Sequence, residues 1–364
     1  MTSPDGGGSI PCAGAANKPL MRRTIPLMLG ILLTLVSIYY LVRISLANVR
    51  DAGGLSALLD FDPLLLIASM IVLQIHFVSA AWSWKRACAV SGGRISTRSA
   101  YSIQFISLLG KYIPGKVWAA VGKVGLSRHA GVSIQSAGRA LVLETLFIVI
   151  CSLIMALPLT PTISNRLGMD PVLFTAALGL LIVTLLLTAH PGTHRRFTRL
   201  IRKVAGRDLS CVDPGFSNIL KLIPVYLTVY LLQGMAFHLL ALSFGVHLDF
   251  LPGIALFPTS VGVGFLMLLA PAGIGVSEVA LLWLMRLIVP TSEQGALPLL
   301  ALASRLWLTV SEIIAFATAV FLRGGWRAVR EAMSSVRERG GEAGERPDSA
   351  GVSADCDSLD EDMR

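Results

Sequence analysis

The chain carries few charged side chains. Only 15% of its 364 residues are Asp, Glu, Lys or Arg, whereas 54% are hydrophobic. A typical soluble domain has about 25% charged residues, so this composition excludes an ordinary water-soluble globular protein. Several apolar stretches are long enough to cross a bilayer, and we therefore predict an all-α, polytopic transmembrane helical bundle.

The sequence also lacks recognisable cysteine motifs. The five cysteines form no CxxC pair, and no His and Cys residues cluster at metal-ligand spacing. This pattern indicates neither a disulfide framework nor a zinc site, and we predict no cofactor. The cysteines are Cys12, Cys88, Cys151, Cys211 and Cys356.

Nucleotide-binding motifs are incomplete. Residues 110–116 imitate the GxxxxGK loop, but Val117 stands where that motif requires Ser or Thr, and Pro114 lacks a backbone donor. The glycine pair at 262–264 lacks the third glycine of a dinucleotide fingerprint. There is also no paired-carboxylate or metal motif, so we predict that the protein is not an enzyme.

Six apolar runs have the length of a membrane-spanning helix, which is about 20 residues. Between them lie two weaker segments, residues 99–122 and 253–289, each long enough for a helical hairpin but broken by glycine and proline. We interpret both as re-entrant or discontinuous helix pairs. The six runs are residues 24–46, 64–84, 140–158, 171–190, 219–244 and 298–322.

Basic residues are concentrated in alternate loops. Because basic loops face the cytoplasm, we predict a multi-pass plasma-membrane protein with both termini cytoplasmic. Residues 1–23 and the acidic tail, residues 323–364, are expected to be largely disordered and to flank a transmembrane domain at 24–322. The basic residues used are Lys18, Arg22, Arg23, Lys85, Arg86, Arg94, Arg98, Lys123, Arg128, Arg139, Arg195, Arg196, Arg199, Arg202, Lys203, Arg207, Arg323, Arg327 and Arg330.

The breaks in the two weaker segments correspond to each other. The first covers residues 108–116, and the second covers residues 268–276, about 160 residues later. Aligning Gly115 with Gly275 brings the flanking segments close to register. Because the loop charges give the segments opposite orientations, the pattern indicates an inverted repeat with a polar site near the bilayer midplane. The predicted repeat halves are residues 64–158 and 219–322.

Ionisable residues within apolar helices mark a candidate site. Glu144 and Arg305 occupy nearly equivalent positions in the two halves, each about thirty residues after its break. Opposite charges at equivalent depth can pair across the repeat axis, and such a pair either fixes helix packing or serves the movement of cargo or protons. Glu278 opens the half-helix after the second break, where a carboxylate complements the helix dipole and capping alone would explain it.

Lys111 and Lys116 flank the Pro114-Gly115 step of the first break. Free N–H groups at the start of a half-helix, together with Lys116, favour an anion such as a lipid phosphate. The structural alternative is that both lysines snorkel toward the cytoplasmic interface. The predicted substrate-binding residues are Lys111, Tyr112, Pro114, Gly115, Lys116, Glu144, Gly273, Gly275, Glu278 and Arg305.

Motifs around the two breaks carry a family resemblance. They are GKYIPGKVW at 110–118, GVS at 131–133, ALVLE at 140–144, PAGIGVSE at 271–278, and Arg305. In order and spacing they resemble the membrane domain of the lysylphosphatidylglycerol synthase/flippase proteins, which also occurs as a stand-alone family. One departure is Thr145, where the family commonly has an arginine directly after the first-half glutamate.

The resemblance extends over residues 24–322 and implies a lipid-translocating fold with two re-entrant helix pairs. It implies a cargo such as an aminoacylated phospholipid or a polyprenyl-phosphate-linked sugar. It does not imply lysyl transfer, which the synthases perform in a separate soluble domain.

We therefore predict a flippase or translocator of a phosphate-bearing lipid. Its predicted partner is a membrane lipid and not a nucleic acid, and a separate lipid-modifying enzyme is a further candidate partner. Two alternatives stay open. One is an intramembrane lipid-modifying transferase that uses Glu144 or Glu278 as a base, and the other is a secondary transporter of a soluble organic anion.

Overall fold

The structure, a computed structural model, describes residues 61–108, 110, 117–188, 215–266 and 276–323, together with Tyr39 and Arg43. Every regular element in these residues is helical, which confirms the all-α prediction. The centres of both breaks, residues 111–116 and 267–275, lie outside the described residues. So do the predicted segment 1–23, the predicted tail 323–364 except Arg323, and all of the first predicted span except Tyr39 and Arg43.

The described helices fall into two series separated by a peripheral group. The first series is α1 (Pro63–Val90), α2 (Thr97–Ser107), α3 (Val117–His129) and α4 (Ile134–Ala156). The peripheral group is α5 (Thr160–Leu167), which follows a 3-10 turn at Leu157–Leu159, then α6 (Pro171–Thr188) and the short α7 (Phe216–Leu220). The second series is α8 (Leu222–Ser243), α9 (Phe250–Leu266), α10 (Val276–Ile288) and α11 (Leu297–Leu322), the last preceded by a 3-10 turn at Thr291–Ala296.

Five helical segments in the described residues are long and apolar enough to cross a membrane. They coincide with five of the six predicted runs and confirm them. The segments are Pro63–Val90, Ile134–Leu167, Pro171–Thr188, Phe216–Ser243 and Gln294–Leu322.

The sequence of α1 explains why this segment forms a membrane helix. Asp62 caps it, because its Oδ1 accepts hydrogen bonds from the backbone N–H groups of Leu64 (2.8 Å) and Leu65 (3.3 Å). Exposed apolar side chains then recur every three or four residues, which is one face of a helix. A continuous apolar stripe of this length is suited to lipid rather than to water. The stripe consists of Leu64, Ile67, Ile71, Ile75, Val78 and Trp82.

The two predicted broken segments each contain a pair of short helices. In the first, α2 has 11 residues and α3 has 13. In the second, α9 has 17 residues and α10 has 13. All four are shorter than the roughly 20 residues that a perpendicular crossing needs. The residues between the two helices of each pair lie outside the described part of the chain, so the discontinuity and the re-entrant path both stay predictions.

Helices α1 and α8 form an antiparallel pair. Three hydrogen bonds join them, from Asp62 N to Ser243 O (2.9 Å), from Ser69 Oγ to Ala236 O (2.8 Å) and from His76 Nδ1 to Val229 O (2.8 Å). The donors advance by seven residues while the acceptors retreat by seven, so the helices meet in opposite directions along a heptad seam. This reversal is the relation that an inverted repeat requires.

The two helix series interlock. Helices α1–α4 and α8–α11 share the order long, short, short, long. Each series packs its last long helix against the first short helix of the other, since α11 contacts α2 and α4 contacts α9. In the α2–α11 contact, Ser102 Oγ donates to the Ala319 carbonyl oxygen at 3.3 Å. The two series therefore cannot separate without breaking both the α2–α11 and the α4–α9 contacts.

Glycines allow close approach at two of these seams. A Cβ atom on Gly234 of α8 would overlap the backbone carbonyl of Ile254 on α9. A Cβ atom on Gly262 of α9 would overlap the side chain of Ser152 on α4. Small residues at helix crossings bring backbones together and increase van der Waals contact, which is the main attraction between helices in lipid.

We expect Gly234→Ala to destabilise the protein by about 2–3 kcal/mol, because the added methyl group meets backbone that cannot rotate away. The matched control is Gly179→Ala on α6, where a Cβ atom has no neighbour within 4 Å. That change is expected to be neutral or to stabilise by up to about 1 kcal/mol through helix propensity. Unfolding of both variants in mixed micelles measures the difference, and equal stabilities would contradict this packing.

Candidate functional site

Seven of the ten predicted substrate-binding residues lie outside the described residues. They are Lys111, Tyr112, Pro114, Gly115, Lys116, Gly273 and Gly275. Their predicted role in holding a headgroup therefore stays a prediction. The other three, Glu144, Glu278 and Arg305, are described, and each takes part in a buried or half-buried ion pair.

The first ion pair joins Lys123 on α3 to Glu144 on α4. The Nζ to Oε2 distance is 2.5 Å, and each side chain exposes only 8% of its surface. The two helices are brought together by a short reversal over residues 130–133, in which Gly131 takes φ 88°, a backbone conformation that favours glycine. This turn places the lysine and the glutamate side by side although 21 residues separate them.

Aromatic residues from two further helices enclose this pair. The Nζ atom of Lys123 lies 4.0 Å from the ring centroid of Trp84 on α1, which is a cation–π contact, and Trp84 is fully buried. Tyr226 on α8 stacks on Phe147 of α4 with ring centroids 5.4 Å apart. Tyr226 also lies within electrostatic reach of Glu144. The pair thus occupies the meeting point of α1, α3, α4 and α8.

The second ion pair joins Glu278 on α10 to Arg305 on α11. Arg305 Nη1 donates to Glu278 Oε1 at 3.2 Å, and Ser277 Oγ donates to the other carboxylate oxygen at 2.9 Å. The Arg305 side chain exposes 19% of its surface, whereas that of Glu278 exposes 6%. This pair is the more accessible of the two.

A small cavity adjoins the second pair. The space open to the centre of a water molecule is about 20 Å³, which is enough for one water. Its lining includes Ser260, Ser277 and Ser304 together with the ion-paired Glu278 and Arg305. The rest of the wall is apolar, so the ion pair borders a largely apolar space. The other lining residues are Phe257, Val261, Leu281 and Leu308.

The predicted pairing of Glu144 with Arg305 across the repeat axis is wrong. Each residue instead bonds to a partner in its own helix series. The physical reason is chain connectivity, because a short helix and the long helix that follows it are joined by a brief turn and pack together. The long helices α4 and α11 pack on α9 and α2 of the opposite series, so their charges find nearer partners.

The position of Lys123 also differs from the one expected from the sequence. The sequence analysis counted it among the basic loop residues that mark the cytoplasmic side, but it lies within α3 and is only 6% exposed. A usable signal was present in the sequence. A carboxylate in an apolar helix needs a neighbouring cation, and Lys123 stands in the preceding glycine- and alanine-rich helix.

The two ion pairs occupy equivalent places with exchanged signs. In the first series the short helix carries the cation and the long helix carries the anion. In the second series the short helix carries the anion and the long helix carries the cation. The cations also differ, and an arginine fork suits bidentate binding of phosphate or carboxylate, whereas a lysine acts as a point charge.

Replacing one member of the first pair should lower the stability of the protein, whereas replacing both members should not. We expect Lys123→Met alone to destabilise by about 3–5 kcal/mol, because Glu144 is left buried without its cation. The double variant K123M/E144M is expected to have nearly wild-type stability, since apolar residues of similar volume replace both charges. A double-mutant cycle on unfolding in micelles measures the coupling, and additive losses would contradict the pairing.

Among the described residues, no three or more His, Cys, Asp or Glu side chains form a group that could hold a metal ion.

Comparison with known proteins places this architecture in a family. A search of curated proteins gives no match. The profile of the lysylphosphatidylglycerol synthase TM region matches residues 27–311, which is most of the chain. The protein therefore belongs to the lysylphosphatidylglycerol synthase TM-region family.

Proposed function

We propose that this protein moves a phosphate-bearing lipid between the leaflets of the plasma membrane. The supporting observation is the Glu278–Arg305 pair beside a serine-lined cavity inside an apolar bundle. An ionisable group near the bilayer centre costs about 2.5–3.5 kcal/mol on insertion scales, so such groups usually face protein or water and often serve transport. The family match supports an association with lipid modification or translocation.

Arg305 is the proposed headgroup ligand. Guanidinium groups bind phosphate and carboxylate with the same forked geometry, so a lipid phosphate can replace the Glu278 carboxylate at Arg305 and keep the cation paired. Glu278 keeps a hydrogen bond from Ser277 when Arg305 turns to the phosphate. Exchange of partners therefore lowers the barrier to bringing a charged headgroup into the bundle.

The site must open to accept a headgroup. A space of about 20 Å³ holds one water molecule, whereas a phosphate-bearing headgroup is several times larger. Helix α10 carries Glu278 and begins directly after the second break, so we propose that movement of α10 relative to α11 admits the lipid. The predicted ligands Lys111 and Lys116 of the first break would complete the path from the opposite series.

The remaining features of this proposal follow from the sequence. The cargo is an aminoacylated phospholipid or a polyprenyl-phosphate-linked sugar, and a separate enzyme makes it. Both termini lie in the cytoplasm, and the protein moves lipid without changing its covalent structure. The absence of nucleotide-binding motifs in the sequence favours a passive or ion-coupled mechanism.

Reconstitution tests the proposal. Purified full-length protein in proteoliposomes is expected to speed the exposure of labelled headgroups on the opposite leaflet for at least one of three probes. The probes are fluorescent phosphatidylglycerol, lysyl-phosphatidylglycerol and a polyprenyl-phosphate sugar. Failure to move any of them faster than protein-free vesicles would refute lipid translocation, and movement of a soluble organic anion instead would favour a secondary transporter.

Variants of Arg305 test the assigned ligand. We expect Arg305→Gln to slow translocation by at least about tenfold, because one charge-assisted contact to phosphate is lost. Arg305→Lys should retain an intermediate rate, since a lysine still offers a point charge. The matched control is Arg286→Gln at an exposed position of α10, which removes the same charge and should leave the rate unchanged. Equal rates for the 305 and 286 variants would place the headgroup elsewhere.

A further inference from the structure

Basic side chains gather at one end of the bundle, where three helices meet. Lys85 Nζ donates to Thr97 Oγ1 at 2.9 Å, which joins the end of α1 to the start of α2. Arg98 Nε donates to the carbonyl oxygen of Leu322 at 2.5 Å, which joins the start of α2 to the end of α11. Arg323, which follows α11 directly, lies at this same end.

The turn after α3 belongs to the same end. Gly93, in the loop between α1 and α2, packs on Val132, because a Cβ atom on Gly93 would lie 2.6 Å from Val132 Cγ1. Val132 follows α3, which carries Arg128 in its last turn. We name the basic residues of this end the basic face. It consists of Lys85, Arg86, Arg94, Arg98, Arg128 and Arg323.

The described contacts of the basic face leave its charge in place. Lys85 and Arg98 donate to uncharged oxygens, and the guanidinium of Arg86 lies 5.6 Å from the ring centroid of Trp82. Cations grouped in this way repel one another and attract an anionic partner. The acidic side chains that the structure describes lie at the opposite end, as Asp62, Asp170 and Asp249 do, or within helices, as Glu144, Glu278 and Glu312 do.

The same chain carries a strongly acidic stretch that can reach this face. Residues 355–362, which we name the acidic segment, have the sequence DCDSLDED, with five carboxylates and no cation. Residues 324–354 connect it to Arg323, and an extended chain of that length spans up to about 100 Å. The 28-residue helix α1 is only about 42 Å long, so every cation of the basic face is within reach.

We propose that the basic face binds the acidic segment of its own chain, an interaction beyond the proposed function. Two features favour this segment over anionic lipid. A phosphatidylglycerol headgroup brings one negative charge, whereas the segment brings five on one strand. Its covalent connection also holds it at an effective concentration on the order of millimolar, so ion pairs that are individually weak suffice for binding. The bound segment keeps anionic headgroups away from these cations.

Cross-linking at a native cysteine tests the contact. Cys356 stands inside the acidic segment, and Ala89→Cys adds a thiol at an exposed position in the last turn of α1. In full-length protein, with one copy per phosphatidylcholine nanodisc, we expect a short bismaleimide to join the added thiol to Cys356. In this background the buried Cys88 and Cys151 are retained, and Cys12 and Cys211 are replaced by serine.

Charge variants show whether the contact is electrostatic. Replacing the five carboxylates of the acidic segment by amides is expected to slow cross-linking by at least about fivefold, because only the covalent connection then brings the thiols together. The matched control replaces five other carboxylates of the tail and should leave the rate unchanged. These are Glu331, Glu338, Glu342, Glu345 and Asp348.

The basic face has its own variant and control. R94Q/R128Q removes two of its exposed arginines and should slow the same cross-link by at least about twofold, because two of its six cations are lost. R166Q/R286Q removes two exposed arginines from α5 and α10 and should leave the rate unchanged. Equal rates for R94Q/R128Q and R166Q/R286Q would place the partner of the segment elsewhere and overturn the proposal.

Two further outcomes decide the proposal. A cross-linking rate that is the same after neutralising the acidic segment as after neutralising residues 331–348 overturns it. Replacing phosphatidylcholine by phosphatidylglycerol should leave the cross-link in place, whereas its loss would assign the basic face to anionic lipid and also overturn the proposal. None of these measurements uses lipid movement, so failure here leaves the proposed function standing.

Discussion

Charge neutrality inside an apolar bundle is the constraint on which the rest of this structure depends. The charged residues buried in its described part are Lys123, Glu144 and Glu278, and each lies in an ion pair. An isolated ion there would cost several kcal/mol, so each short helix is held against the long helix that carries its counter-ion. The ion pairs thus fix the position of α3 on α4 and of α10 on α11, and α3 and α10 are the helices that follow the breaks.

A second set of polar contacts holds the two helix series together without any charge. Ser69 and His76 of α1 donate to backbone carbonyl oxygens of α8, and Ser102 of α2 donates to a carbonyl of α11. Such bonds satisfy small polar groups in lipid surroundings, where water cannot do so. The polar residues therefore have two separate roles, because hydroxyl and imidazole groups join one helix series to the other, whereas the ion pairs join a short helix to a long helix within one series.

The fold was more predictable from the sequence than the site. Apolar runs identified five spans, because the thickness of the bilayer sets helix length regardless of tertiary contacts. Partner choice for Glu144 was not predictable from pseudo-symmetry alone, because a local turn at Gly131 brings Lys123 into an ion pair with it. The polar residues Asp62, Ser69 and His76 stood at seven-residue intervals, a pattern that would have predicted the α1–α8 seam.

The exchange of signs between the ion pairs has an electrical consequence. Helix α8 runs opposite to α1. If α10 and α11 are reversed relative to α3 and α4 in the same way, two ion pairs with the same order of signs would have opposing dipole moments along the membrane normal. In that arrangement exchanged signs reverse one of them, so the moments of Lys123–Glu144 and Glu278–Arg305 would point the same way. A full charge crossing the bilayer changes energy by about 2.3 kcal/mol per 100 mV. In that arrangement the membrane voltage would act on both pairs in one sense, whereas in a repeat with matched signs its effects would cancel.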